Sequence, residues 1–273
     1  ALAWLYRSRN TAIPLGNLVA DRAGILDLPP GFSYQVLQRV GDPMTDGFNA
    51  PAAPDGMACF SGTDGSWVVM RNHEIHEGSP VDAALGFADD RGGGVTRLVV
   101  DRASGTLRSS NFVLTGTSRN CAGGPSPYGW LSCEEVDESG HGFVFLCDVS
   151  ASELQAPHRL PALGRFSHEA AAFDATTGIT YPTDDPSDSA IYRHVPNHTT
   201  QPFVGGELQA LKVSGKDRFM LSEGRKVDEA FNVEWVSVPD PQALKASTRD
   251  QAHNAGAAFF SRGEGAWLAD HHV

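Results

Sequence analysis

An apolar run, a glycine-containing turn and a second apolar run recur along this chain, and that repeat limits the folds open to it. "MACFSGTDGSWVVMRNHE" (57–74) has this form, with Asp64-Gly65 at the turn. "AAAFDATTGITYPTDD" (170–185) repeats it with Thr177-Gly178, and "AGAAFFSRGEGAWLAD" (255–270) repeats it again. "GGPSPYGWLSCEE" (123–135) supplies the turn and second strand of another copy, and "VTRLVVDRASGTLRSSNFVL" turns at Ser104-Gly105. Glycine takes positive φ without steric cost, so each copy reads as a β-hairpin. "HGFVFLCDVS", "AIYRHVPN" and "GELQALKV" read as further short strands, whereas "ASELQAP" (151–157) and "DPQALKASTRDQ" (240–251) fit short helices or loops. With 29 Gly and 17 Pro in 273 residues, long helical patterns are scarce. The chain is therefore expected to be all-β, and units recurring at several tens of residues favour a β-propeller of four-stranded blades. No composition break divides it, so residues 1–273 read as one domain.

The net charge of -12 and the lack of a Lys/Arg run argue against nucleic acid as a partner. No apolar stretch approaches the roughly 18 residues that a membrane span needs. Ala1 is not a natural start, so a leader is expected to have been trimmed from the N-terminus. The cysteines, Cys59, Cys121, Cys133 and Cys147, match no zinc spacing. Cys59, Cys133 and Cys147 have apolar neighbours and read as buried small side chains, with a disulfide open if the protein is exported.

The second strands of the hairpins end on acids. Strand 67–70 runs into Asn72, His73 and Glu74; 130–132 into Glu134 and Glu135; 179–183 into Asp184 and Asp185; 266–269 into Asp270. In a propeller, equivalent strand ends face one mouth of the channel. Carboxylates gathered there repel unless cations neutralise them, and oxygen-rich clusters suit Ca²⁺, Mn²⁺ or iron. "GRFSHEAAAF" (164–173) adds Ser167, His168 and Glu169. "RNHEIHEG" (71–78) is not the zincin motif, because its histidines are three apart, and Asn72 and Glu74 are the stronger site candidates. "SRGEG" (261–265) sets Arg262 two residues before Glu264, where an arginine could grip an anion bidentately. Cys121 lies in a turn ahead of Gly123-Gly124 and could offer a thiolate to a metal.

The series "PDGMA", "RNHE", "GGGVTRLVVD", "RNCAGGPSPYGWLSCEE", "HGFVF", "GRFSHEAAAFD", "LQALKV" and "FSRGEGAW" resembles the PhoX-type alkaline phosphatases in order and spacing over nearly the whole chain. The resemblance implies a β-propeller, six-bladed in the full family fold, with Fe³⁺ and Ca²⁺ in the channel mouth. An oxo-bridged iron pair with calcium would hold and attack small-molecule phosphate monoesters. It implies Cys121 as an iron ligand, Glu134 or Glu135, Glu169 and Glu264 as carboxylate ligands, Arg262 on phosphate, and Asn72 and Glu74 on the calcium side. Asp184 stands where the family's Thr-Glu-Asp has Glu, so its ligand would reach less far. It also implies export to the periplasm or beyond by the twin-arginine route, and the chain is expected to be a monomer. The chain stops where family members continue, so the C-terminal part of the propeller is expected to be missing. Two rival readings are a calcium-dependent propeller lactonase or phosphotriesterase, and a calcium-binding propeller without catalysis.

Overall fold

The structure, a computed structural model, describes residues 16–221, 224–226, 228–269 and 273. Three antiparallel sheets form, each a meander of strands adjacent in sequence. The first holds β1 (Pro54–Ser61), β2 (Ser66–His73), β3 (Gly93–Asp101) and β4 (Leu107–Thr117). The second holds β5 (Asn120–Ser126), β6 (Gly129–Glu134) and β7 (Val144–Cys147). The third holds β8 (His168–Phe173), β9 (Thr180–Asp184), β10 (Tyr192–Val195), β11 (Glu207–Val213) and β12 (Val233–Ser237). The β-rich class is borne out. Sheets of four, three and five strands depart from the uniform four-stranded blade expected.

Four hairpins form where the turn residues place them: β1/β2, β3/β4, β5/β6 and β8/β9. The expected hairpin over 255–270 does not. Its backbone bonds go to distant partners instead. Ala258 N–H donates to Leu211, Phe259 N–H to Phe219, and Phe260 N–H to Ser189. A short helix, α1 (Thr248–Asn254), occupies the end of the 240–251 segment. The Ser247 hydroxyl caps it by accepting from the Asp250 N–H at 3.0 Å. Segment 151–157 is loop.

The middle sheet is enclosed on both faces, which explains why every residue of β6 is buried. Side chains alternate along a strand, so the two faces of β6 meet different neighbours. Trp130 packs with Met70, Val95 and Leu114 of the first sheet. Leu131 and Cys133 pack with Ala171 and Phe173 of β8. Burying one such aliphatic side chain contributes about 1.5–3 kcal/mol. Backbone proximity is equally strict. A Cβ on Gly124 would lie 1.8 Å from the Ala171 carbonyl oxygen, so β5 can approach β8 this closely only with glycine there.

Three buried imidazoles give the fold an acid limit, and His168, held down at about 3 by burial, is one of them. Burial holds His73 and His194 down at about 4, although each has a backbone carbonyl partner. The unfolded chain takes these protons near pH 6.5, so between about 6.5 and 4 it binds more protons than the fold does. Stability is therefore fully present above 6.5 and declines as pH falls toward 4. His194→Phe should flatten this decline by up to about 1.4 kcal/mol per pH unit, measured by urea unfolding across that range.

Candidate metal centre

The ends of the strands are stitched together by backbone hydrogen bonds, and this stitching sets out the site. The Arg119 N–H donates to the Ile75 carbonyl at 3.0 Å, and the Arg119 carbonyl accepts from Glu135 N–H at 2.9 Å. Glu135 bridges to Ser167, whose carbonyl accepts from Asp185 N–H at 3.2 Å. The Arg262 N–H then donates to Pro186, and the Gly263 N–H to Asp184, both at 3.2 Å. Residues far apart in sequence thus line one rim.

Cys121, Glu135 and Glu169 converge on that rim, each with a ligand atom within 4.8 Å of the others. Parity explains the choice of Glu135. It shares the parity of Leu131 and Cys133, whose face is toward β8, and Glu169 enters from the irregular start of β8, where the register shifts between His168 and Ala171. Cys121 sits at an irregularity in β5, where the β5/β6 register shifts between Asn120 and Gly123. Its thiol lies 3.7 Å from Asp55 Oδ1. Gly56 makes this approach possible: a Cβ there would lie 2.6 Å from Ala122 Cα.

The charges of this cluster oppose one another. Burial raises Glu135 to about 7, helped by the hydrogen-bonded Asp185 and the charges of Glu169, Asp185 and Glu74. Burial likewise raises Glu169; the Cys121 thiol partly offsets this, and Glu264, Asp185 and Asp55 add to it. The Cys121 thiol is pushed far up by burial, then by Glu169, Asp55 and Glu135. A cation among them would reverse every one of these shifts. The donor set, one thiolate with several carboxylate oxygens, fits iron beside calcium.

The remaining expected residues are placed as follows. Glu74 flanks the cluster and faces Arg119 at 3.8 Å. Arg262 lies against Asp185 Oδ1 at 3.0 Å and Glu264 Oε1 at 3.1 Å. Asp270 lies outside the described residues.

Three candidates are satisfied within the protein or directed away from the cluster. Glu134 is 0% exposed and fully engaged: Oε1 accepts from Ser118 N–H and meets His141 Nδ1, and Oε2 accepts from the Gly142 and Phe143 N–H groups. It builds the rim and leaves no lone pair for a metal. Asn72 is also buried, donating to the Cys121 and Ala122 carbonyls at 3.0 and 2.7 Å while its oxygen accepts from Trp130 and Ser132. It positions the Cys121 loop. Asp184 points away from the cluster, 3.7 Å from Arg249 Nη1 on α1, and burial raises it to about 8. Asp185, the next residue, takes the place at the cluster, because neighbours on a strand face opposite ways. Of the cysteines, Cys133 and Cys147 are buried as expected, Cys59 is exposed, and all four are free. Asp55 was not singled out from the sequence; its "PDG" reads locally as a turn.

A cavity of about 450 Å³ lined by Phe60, Thr63, Arg97 and Tyr128 lies at the turn ends of β1/β2 and β5/β6, opposite the cluster.

These features define a β-sheet protein whose strand ends offer a thiol and carboxylates to metal ions. Residues 13–111 and 102–273 match the family model described as alkaline phosphatase PhoX, and the chain belongs to that family. A similar solved structure is Pseudomonas fluorescens PhoX in complex with vanadate, a transition state analogue. It aligns over 89% of this chain and 63% of its own length, with 17% identity and a TM-score of 0.60, a likeness in fold. The chain thus spans less than two thirds of that protein. No curated protein matches the sequence.

Glu134 and Glu135 should separate cleanly. Glu134→Gln turns an amide N–H₂ or a neutral oxygen toward four donors and should cost about 2–4 kcal/mol in urea unfolding. Glu135→Gln relieves repulsion and should keep the stability of the metal-free protein while lowering bound metal by mass spectrometry. Gly56→Ala should displace the Cys121 loop and also lower metal content.

Proposed function

We propose that the chain carries the site of a metal-dependent phosphatase acting on small-molecule phosphate monoesters at alkaline pH. The convergence of Cys121, Glu135 and Glu169 within 4.8 Å, beside Arg262, is the observation that carries this reading. Membership of the PhoX family supports it.

Cys121, Glu135 and Glu169 would hold iron, with Asp55, Glu74, Asp185 and Glu264 available to calcium. When bound there, iron and calcium would supply the positive charge that a phosphate dianion needs in this acidic mouth and the Lewis acidity for hydrolysis. Arg262 contributes directional donors. Its guanidinium is held by Asp185 and Glu264, and once cations occupy those carboxylates it is free to orient a phosphoryl group. Asn72 and Glu134 hold the loops that carry Cys121 and Glu135 and touch no substrate.

The rest of the proposal follows the family. The sheets are blades of one propeller domain, the protein acts as a monomer, and it works in the periplasm or outside the cell. Among the described residues no helix is long and apolar enough to cross a membrane.

Purified protein supplied with iron and calcium should hydrolyse p-nitrophenyl phosphate at alkaline pH and lose activity to chelators. Cys121→Ala should lose iron and at least about 100-fold in kcat/KM, a loss of about 2.7 kcal/mol in transition-state stabilisation. Full activity with calcium alone would support a calcium-dependent hydrolase, and no turnover with either metal would leave a binding protein.

A further inference from the structure

Arg262 is not the only arginine that the rim presents to the acidic cluster. Arg119 lies at the other end of the rim's hydrogen-bonded line, beside Ile75 and two residues before Cys121. Both residues are left-handed, with φ of 58° and 46°, a conformation uncommon outside glycine and one that costs free energy to hold. Each donates its backbone N–H to a rim carbonyl, Arg262 to Pro186 and Arg119 to Ile75. Each directs its guanidinium to a carboxylate of the cluster, Arg262 to Asp185 and Arg119 to Glu74.

They differ in how tightly they are held. Arg262 has partners at 3.0 and 3.1 Å. Arg119 has a single long contact, 3.8 Å to Glu74 Oε1, and its side chain is 47% exposed. Its backbone is fixed on both sides, because its carbonyl also accepts from Glu135 N–H. An anchored backbone, a strained φ and a loosely held cation make a poor structural ion pair. Exposed pairs of this kind contribute little to stability. They suit a guanidinium waiting for a better acceptor.

We propose that Arg119 is a second anion-binding arginine, and that the site prefers phosphate esters carrying another anionic group on the side away from Arg262. The preference rests on the phosphatase reading, but the anion site itself does not. A phosphate or carboxylate on the leaving group would accept the Arg119 fork bidentately and replace the long Glu74 contact. Arg119 would tighten binding of such substrates without entering the reaction at the scissile phosphate.

Two probes that are not turned over test this on metal-loaded protein: butane-1,4-diphosphonate, with two anionic groups, and butylphosphonate, with one. Titration calorimetry should give tighter binding of the diphosphonate. Arg119→Gly accepts the left-handed backbone and removes the guanidinium. It should weaken the diphosphonate about tenfold or more and leave butylphosphonate within about twofold. Arg119→Lys should restore part of the loss. A carboxylate source is read by 5-phosphonopentanoate, which should show the same Arg119 dependence if charge and not phosphate is recognised. Equal loss for both phosphonates, or none for either, overturns the proposal. p-Nitrophenyl phosphate turnover is measured alongside: if it is absent while the diphosphonate result holds, the phosphatase reading fails and the Arg119 site stands.

Discussion

The backbone chain along the rim is the constraint on which the site depends. Ile75, Arg119, Glu135, Ser167 and Asp185 are joined in order by main-chain hydrogen bonds, and Arg262 and Gly263 continue the line. These bonds tie all three sheets at one end. They fix where β2, β6 and β9 stop, which sets Glu74, Glu135 and Asp185 at the rim, while Cys121 and Glu169 join from the second residues of β5 and β8. The burial that raises Glu135 and Glu169, and the repulsion that adds to it, are thus imposed by the fold. A metal-free cluster of this kind is held against its own charge by the packing below it, where Trp130, Leu131 and Cys133 lock β6 between its neighbours.

The supporting residues divide the labour. Asn72 and Glu134 are polar, buried and saturated with hydrogen bonds, so they add order and present nothing outward. Glu135, Glu169 and Cys121 are less satisfied and more accessible, and that imbalance is what a ligand set requires. Buried polar groups either complete their bonds inside the protein or await a partner. Asp184 and Arg249 form a separate pair behind β9, with both Asp184 oxygens and Arg249 Nη1 lacking hydrogen-bond partners.

Local chemistry was legible in the sequence, and long-range pairing was not. Asp64-Gly65, Ser104-Gly105 and Thr177-Gly178 marked real hairpins because turn geometry is decided by a few adjacent residues. The 255–270 segment carried the same letters, yet Phe259 and Phe260 found partners near 219 and 189. No local pattern contains that information. β12 went unseen, since "VEWVS" is short and half polar. Cys121, Glu169 and Arg262 stood out from their local sequence and again in the motif resemblance. The choice between Glu134 and Glu135, and between Asp184 and Asp185, needed to know which face of a strand meets the next sheet. Asp55 was missed because its place beside Cys121 follows from Gly56 letting two distant backbones touch.

Anomalous diffraction at the iron edge, on crystals of the purified protein, tests the central claim most directly. The account predicts a peak within bonding distance of Cys121 Sγ and of carboxylate oxygens from Glu135 and Glu169. A fully occupied iron peak bound elsewhere, or none at these three residues in protein that hydrolyses phosphate esters, would contradict it.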